Sequence, residues 1–267
     1  MNLFNILSEI EQRDAEAYEK FTVSRRKLFK TTAVAAAGST GLLAATLNKA
    51  FAADGDVADV LNFALLLEYL EAEFYAIGLN TPGLIPANDR NVFAKIGEHE
   101  RQHVDFLRSA LGGSAIPKPT FDFTAGGRFP TAFSNYGTFL VLSQAFEDLG
   151  VRAYKGQAPR LKGNRDVLLA ALKIHSVEAR HAGEVRLIRG LRVWTSEQET
   201  GGAPAAVYMG ESPTMQWTVD LPPVVGPKLV QREGNVGQTV ERVVREAYDE
   251  PLTKEQVLAI AGPFVRG

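Results

Sequence analysis

The chain of 267 residues contains no cysteine. That absence excludes disulfides, thiolate metal sites and cysteine nucleophiles. Charge excess is missing as well: 29 lysines and arginines stand against 31 aspartates and glutamates, a net charge of -2. Nothing in that balance would draw the chain to nucleic acid or to an anionic membrane surface. Histidine is scarce, at four residues, so where the four fall is informative. What the chain does have is a hydrophobic content of 45%, enough to bury a full core in one main domain with appendages.

Residues 1–52 read as a targeting segment. Ser24-Arg25-Arg26-Lys27-Leu28-Phe29-Lys30 places paired arginines before the uncharged run Thr31 to Asn48, and Ala50-Phe51-Ala52 supplies an A-x-A cleavage site. This resembles a bacterial twin-arginine signal. It implies the twin-arginine export machinery as a partner and a periplasmic or otherwise exported destination. The run is marginal for a membrane span of about 20 residues, so an uncleaved anchor is the lesser alternative.

From Asp56 to about Gly190 the apolar residues recur at helical spacing. A first helix carries Val60, Leu61, Ala64, Leu65 and Glu68 and is expected to stop at Gly78. A second is expected to start at an Asn88-Asp89 cap and to run to Gly112-Gly113. A third spans about Ser134 to Gly156, and a fourth follows an Asn164 cap. Between the second and third, residues 112–132 are broken by Pro117, Pro119, Gly126, Gly127 and Pro130. Such a connection is long enough to cross the length of a bundle, about 30 Å for a 20-residue helix. Two hairpins joined by one long crossover make an all-α four-helix bundle over residues 53–190. Residues 191–267 form an irregular extension expected to pack on the bundle. Ala205 to Val219 has room for a short strand, and Thr253-Lys254-Glu255-Gln256 is a capping box opening a last short helix. Trp217, Leu229, Val257, Leu258 and Ile260 of this extension need burial.

The bundle repeats itself. Glu68 and Tyr75 recur after 79 residues as Glu147 and Tyr154, while Glu100 and His103 recur after 78 as Glu178 and His181. The two halves are therefore one hairpin used twice, each supplying a Glu-x6-Tyr helix and a Glu-x-x-His helix. Residues three apart share a helix face, so each Glu-x-x-His pair offers an oxygen and a nitrogen to one ion. Glu68 and Glu147 complete the set and are expected to bridge. Four ionised carboxylates in a core are too costly alone, and two divalent cations would balance them. Oxygen and imidazole ligands favour iron or manganese, though ligand affinity alone also admits zinc or copper. One Glu-x-x-His is common on a solvated helix face; two in register, with every histidine of the chain on these two helices, point to metal.

Other polar residues lie nearby. Glu71 shares the face of Glu68, but its counterpart in the repeat is Gly150; it is an extra ligand, an outer acceptor or a boundary residue. His175 stands one turn before Glu178, within reach of it or simply a core histidine. His99, next to Glu100, should point outward. Asp148 competes with Glu147, and the repeat register favours Glu147. Tyr75 and Tyr154 are the candidate catalytic residues, either donors near the metals or core aromatics with satisfied hydroxyls.

Residues 56–190 resemble the ferritin-like superfamily, whose ligand pattern falls on Glu68, Glu100, His103, Glu147, Glu178 and His181, with a helix-one tyrosine at Tyr75. The stretches LNFALLLEYLEAEFY and DEPLTKEQVLAI are most similar to exported bacterial ferritin-like proteins related to plant desiccation-related proteins. The resemblance implies a ferritin-like four-helix bundle and a dinuclear centre. It further implies an oxidoreductase acting on Fe(II), oxygen or peroxide in stress defence, in the manner of a ferroxidase or a manganese catalase. A homo-oligomer is compatible with it; a 24-subunit iron store is not expected, because the long extension replaces the short fifth helix of cage ferritins. The alternative is a non-enzymatic, metal-binding or stress-protective bundle.

Overall fold

The computed structural model describes residues 55–195, 200–211 and 249–266. The targeting segment, Trp217 and Leu229 lie outside the described residues. Four long helices form the bundle: α1 (Gly55–Asn80), α2 (Ala87–Leu111), α3 (Tyr136–Gln157) and α4 (Arg165–Ile188). The fold is all-α, as the periodicity predicts. A fifth helix, α5 (Lys254–Ala261), belongs to the C-terminal extension.

The helix starts follow local chemistry. Asn135 and Asn164 cap α3 and α4, each side chain accepting from a backbone N–H three residues on. Thr253 and Gln256 form the expected capping box on α5. Two expectations fail. Helix α2 begins at Ala87 behind Pro86, with no side-chain cap, and Asp89 instead accepts from the Tyr136 hydroxyl at 2.7 Å. Helix α1 does not stop at Gly78 but runs through it to Asn80. A side chain at position 78 would strike the Phe139 ring, so this glycine admits a neighbour rather than ending a helix.

Cross-helix contacts give the topology. Tyr75 lies against Gly97 of α2 and Asn62 bonds to Ser114 O at 2.9 Å, so α1 and α2 are antiparallel. Tyr75 meets Glu147 and Tyr154 meets Glu68, so α1 and α3 are antiparallel too. Helix α3 therefore runs parallel to α2, and residues 112–135 make the long crossover between them. Asn62 holds its start, accepting from Ile116 N at 2.9 Å. Its middle forms a two-residue strand, β1 (Thr120–Phe121), paired antiparallel with β2 (Val265–Arg266) at the C-terminus.

Three buried apolar clusters draw on residues of α1 and α3. Every residue from Leu142 to Tyr154 is buried, which a helix with one solvent face cannot achieve. The extension explains it by covering the outer face of α3. Val207, Tyr208, Leu252, Val257 and Ala261 pack with Ala145, Leu149 and Ala153 of α3, and Leu258 and Ile260 lie partly buried against the same cluster. Residues 205–208 are a 3-10 turn and 209–211 continue as turn and loop rather than strand; residues 212–219 lie outside the described residues.

Candidate metal centre

All four bundle helices send carboxylates to one buried point. Glu68 (α1), Glu100 (α2), Glu147 (α3) and Glu178 (α4) are each fully buried. With His103 and His181 they form two groups whose ligand atoms lie within 4.8 Å of one another: Glu68, Glu100, His103 and Glu178 in one, Glu100, Glu147, Glu178 and His181 in the other. The shared residues are Glu100 and Glu178, not Glu68 and Glu147 as expected. Glu68 enters only the first group and Glu147 only the second.

The contacts within the cluster are crowded. His103 Nδ1 lies 3.1 Å from Glu68, 3.0 Å from Glu100 and 3.2 Å from Glu178. His181 Nδ1 lies 2.7 Å from Glu100 and 3.2 Å from Glu147. One ring N–H cannot serve three carboxylates, whereas a cation can. Among the described residues six buried side-chain polar atoms lack a hydrogen bond, and five belong to this cluster: Glu100 Oε1, Glu147 Oε2, both oxygens of Glu178 and His181 Nδ1. Native interiors leave few such atoms unpaired. Lone pairs that converge without pairing with each other fit divalent cations.

The electrostatics agree with a site built for positive charge. Burial, then the neighbouring carboxylates, hold Glu178 and Glu71 well above the usual carboxylate range. Burial pushes Glu100 up to about 7 against the pull of His103 and His181. Burial also works against charge on the histidines, yet facing carboxylates win, raising His103 strongly and His181 to about 11. Glu68 is the exception: burial raises it, but His103 and its other hydrogen-bond partners outweigh that and hold it low. Without cations, Glu71, Glu178 and both histidines are thus shifted toward their protonated forms.

The tyrosines are donors. Tyr75 donates to Glu147 Oε1 and Tyr154 to Glu68 Oε1. Burial, then those carboxylates, keep both hydroxyls protonated. Phe93 and Phe139 pack on the Tyr75 ring, walling that side with aromatic surface. Glu71 is buried beside Glu178, in space that a side chain at Gly150 would invade, since a Cβ there would stand 3.0 Å from Glu178 Oε2 and 3.3 Å from Glu71 Oε1. The repeat thus trades one side chain for the other.

Three further residues find other partners. His175 Nδ1 faces the Val151 carbonyl at 3.0 Å rather than Glu178. Asp148 is turned from the cluster and pairs with Arg186 at 2.5 Å, both fully buried. His99 does not point outward: its Nδ1 is 2.9 Å from His181 Nε2, because α4 occupies the side of α2 to which it turns.

A polar stripe on α3 escapes sequence reasoning. Gln144, Asp148 and Arg152, spaced four apart, are all buried under the extension. Tyr208 donates to Asp148 at 2.7 Å and accepts from Gln144 at 2.6 Å. Arg152 pairs with Glu211 at 2.7 Å and donates to the carbonyls of Glu250 and Met209 at 2.8 Å each. The four-residue spacing was the available signal, polar residues along one face of α3 centred about 100° around the helix from Glu147.

No curated protein sequence matches the chain. The sequence model of the ferritin-like domain family matches residues 56–191, which takes in all four bundle helices and every residue of the cluster. That match covers more than half of the sequence, and with the fold it establishes that the chain belongs to the ferritin-like domain family.

Proposed function

We propose that this is an exported ferritin-like protein with a dinuclear iron or manganese centre, acting as an oxidoreductase on Fe(II), oxygen or peroxide. The observation that carries it is the pair of ligand groups sharing Glu100 and Glu178, with their buried oxygens unpaired. Glu68 and His103 would complete one position, Glu147 and His181 the other. Two such ions would balance the four carboxylates and supply open coordination positions and electrons to a small oxidant. Zinc fits the donor set but could not exchange electrons.

The chain's own groups prepare the centre for that chemistry. Tyr75 and Tyr154 fix the rotamers of Glu147 and Glu68, which keeps the terminal carboxylates in place while the shared ones adjust. Glu71, buried beside Glu178 and shifted toward its protonated form, would be a proton donor or acceptor within the centre. Export rests on Arg25-Arg26 and the run after them. Among the described residues no helix is long and apolar enough to cross a membrane. The proposed role in stress defence rests on the resemblance of LNFALLLEYLEAEFY and DEPLTKEQVLAI to exported desiccation-related proteins.

Two assays on the metal-loaded chain test the activity: ferrous oxidation followed by ferric absorbance, and oxygen evolution from peroxide. Turnover in the first marks a ferroxidase and in the second a catalase. Silence in both, with metal bound, overturns the enzyme reading in favour of a binding or stress-protective protein. Retention of an Arg25→Lys, Arg26→Lys double variant in the cytoplasm would support the export route; unchanged export would count against it.

A further inference from the structure

His99 on α2 and His181 on α4 meet with Nδ1 of the first 2.9 Å from Nε2 of the second. Their ring planes differ by 16° and their centroids stand 5.2 Å apart. The centroids are farther apart than the two nitrogens by about one ring width. The rings therefore meet edge to edge in nearly one plane, the arrangement an N–H···N hydrogen bond requires. At the opposite side of the His181 ring, Nδ1 faces Glu100 and Glu147 and makes no directed hydrogen bond.

These two facts constrain the proton. An imidazole that offers the Nδ1 lone pair to a cation carries its proton on Nε2. That N–H needs an acceptor to hold the ring in place, and in metal sites it nearly always has one. Resting on the metal-centre reading above, we infer that His99 is the positioning residue for His181. It accepts the Nε2–H of His181 through its own Nδ1, fixes the ligand's tautomer and sets the angle of its ring. His99 then keeps its own proton on Nε2.

The internal repeat does not copy this device. The residue 78 positions after His99 is Val177, whose side chain has no polar atom. Position 177 therefore gives His103 no matching acceptor, and the two metal positions are inequivalent. Only the one formed with Glu147 and His181 depends on residue 99. A histidine that merely filled space between α2 and α4 would affect both positions alike, or neither.

The test compares the full native chain with His99→Ala and His99→Asn, titrated with Mn(II) under chelator competition. The asparagine Oδ1 falls where the histidine Nδ1 stood and preserves the acceptor. Two ions per native chain are expected, with alanine weakening one of them about 10- to 100-fold, the other unmoved, and asparagine restoring most of the loss. Alanine with both affinities unchanged, or asparagine as weak as alanine, overturns the inference. A second readout needs no variant: in the zinc-loaded native chain with 15N-labelled histidine, His181 shows a proton on Nε2 and none on Nδ1. The opposite tautomer overturns it too. A native chain that takes up no metal refutes the underlying reading and the inference with it, a result distinct from metal uptake that ignores residue 99.

Discussion

Tyr154 on α3 donates a hydrogen bond to Glu68 on α1, and the repeat returns the contact as Tyr75 on α1 donating to Glu147 on α3. Each half of the duplicated hairpin thus orients the terminal carboxylate of the other. Hydrogen bonds to charged groups contribute about 1.5–3 kcal/mol. Tyr154→Phe should lower the unfolding free energy by about that much, measured by urea denaturation, and should weaken uptake of the ion held by Glu68 and His103. An unchanged denaturation midpoint and unchanged uptake would show the hydroxyl to be idle.

Metal uptake should expel protons. In the metal-free cluster His181 titrates at about 11 and Glu100 at about 7, with His103 and Glu178 also raised. Ligands must shed these protons to bind a cation, so apparent affinity rises with pH across the neutral range and falls in acid. Calorimetry in buffers of different ionisation enthalpy counts the protons, and the expected number is about one or more per ion. Binding independent of both buffer and pH would contradict the protonation assigned to the cluster.

The extension should come loose when Arg152 is lost. Arg152 is buried and pairs with Glu211 and with the carbonyls of Glu250 and Met209, and leaving such acceptors buried without a donor costs about 1–3 kcal/mol each. Arg152→Ala should expose residues 200–211 to limited proteolysis. Burial, then the carboxylate of Asp249, raise Glu211 to about 8 although Arg152 pulls it down. A folded value above the unfolded one means stability present in acid and lost as pH rises through about 8. Cleavage in this segment should therefore accelerate as pH rises from the ordinary carboxylate value of 4.5 to about 8 and level off above it, and Glu211→Gln should flatten the step. Equal cleavage rates at pH 6 and 9 would count against it.

The long helices, the crossover and the six residues of the buried cluster were legible in the sequence because helical periodicity and a near-constant repeat both survive projection onto one dimension. What the repeat could not convey was helix rotation. Spacing places Glu100 and His103 on one face, but whether that face meets Glu178 or Glu147 first depends on how four helices pack, so the shared carboxylates were misassigned. His99 failed for the same reason: one residue from Glu100 turns it about 100° around α2, and periodicity alone cannot say that α4 fills that direction. Gly78 read as a stop because glycine usually punctuates helices; the Phe139 ring that needs its space is 61 residues away. Gly78→Ala should accordingly destabilise the bundle by about 1–3 kcal/mol through overpacking, although alanine is the better helix former by about 1 kcal/mol. A gain in stability on thermal melting would mean that the ring has room to move.

Elemental analysis of the purified chain tests the central claim most directly. The account predicts about two iron or manganese ions per chain. It predicts about one in Glu68→Ala, which removes a terminal ligand, and none in the Glu100→Ala, Glu178→Ala double variant, which removes both shared carboxylates. A native chain that carries no metal and takes up neither ion on reconstitution would contradict it.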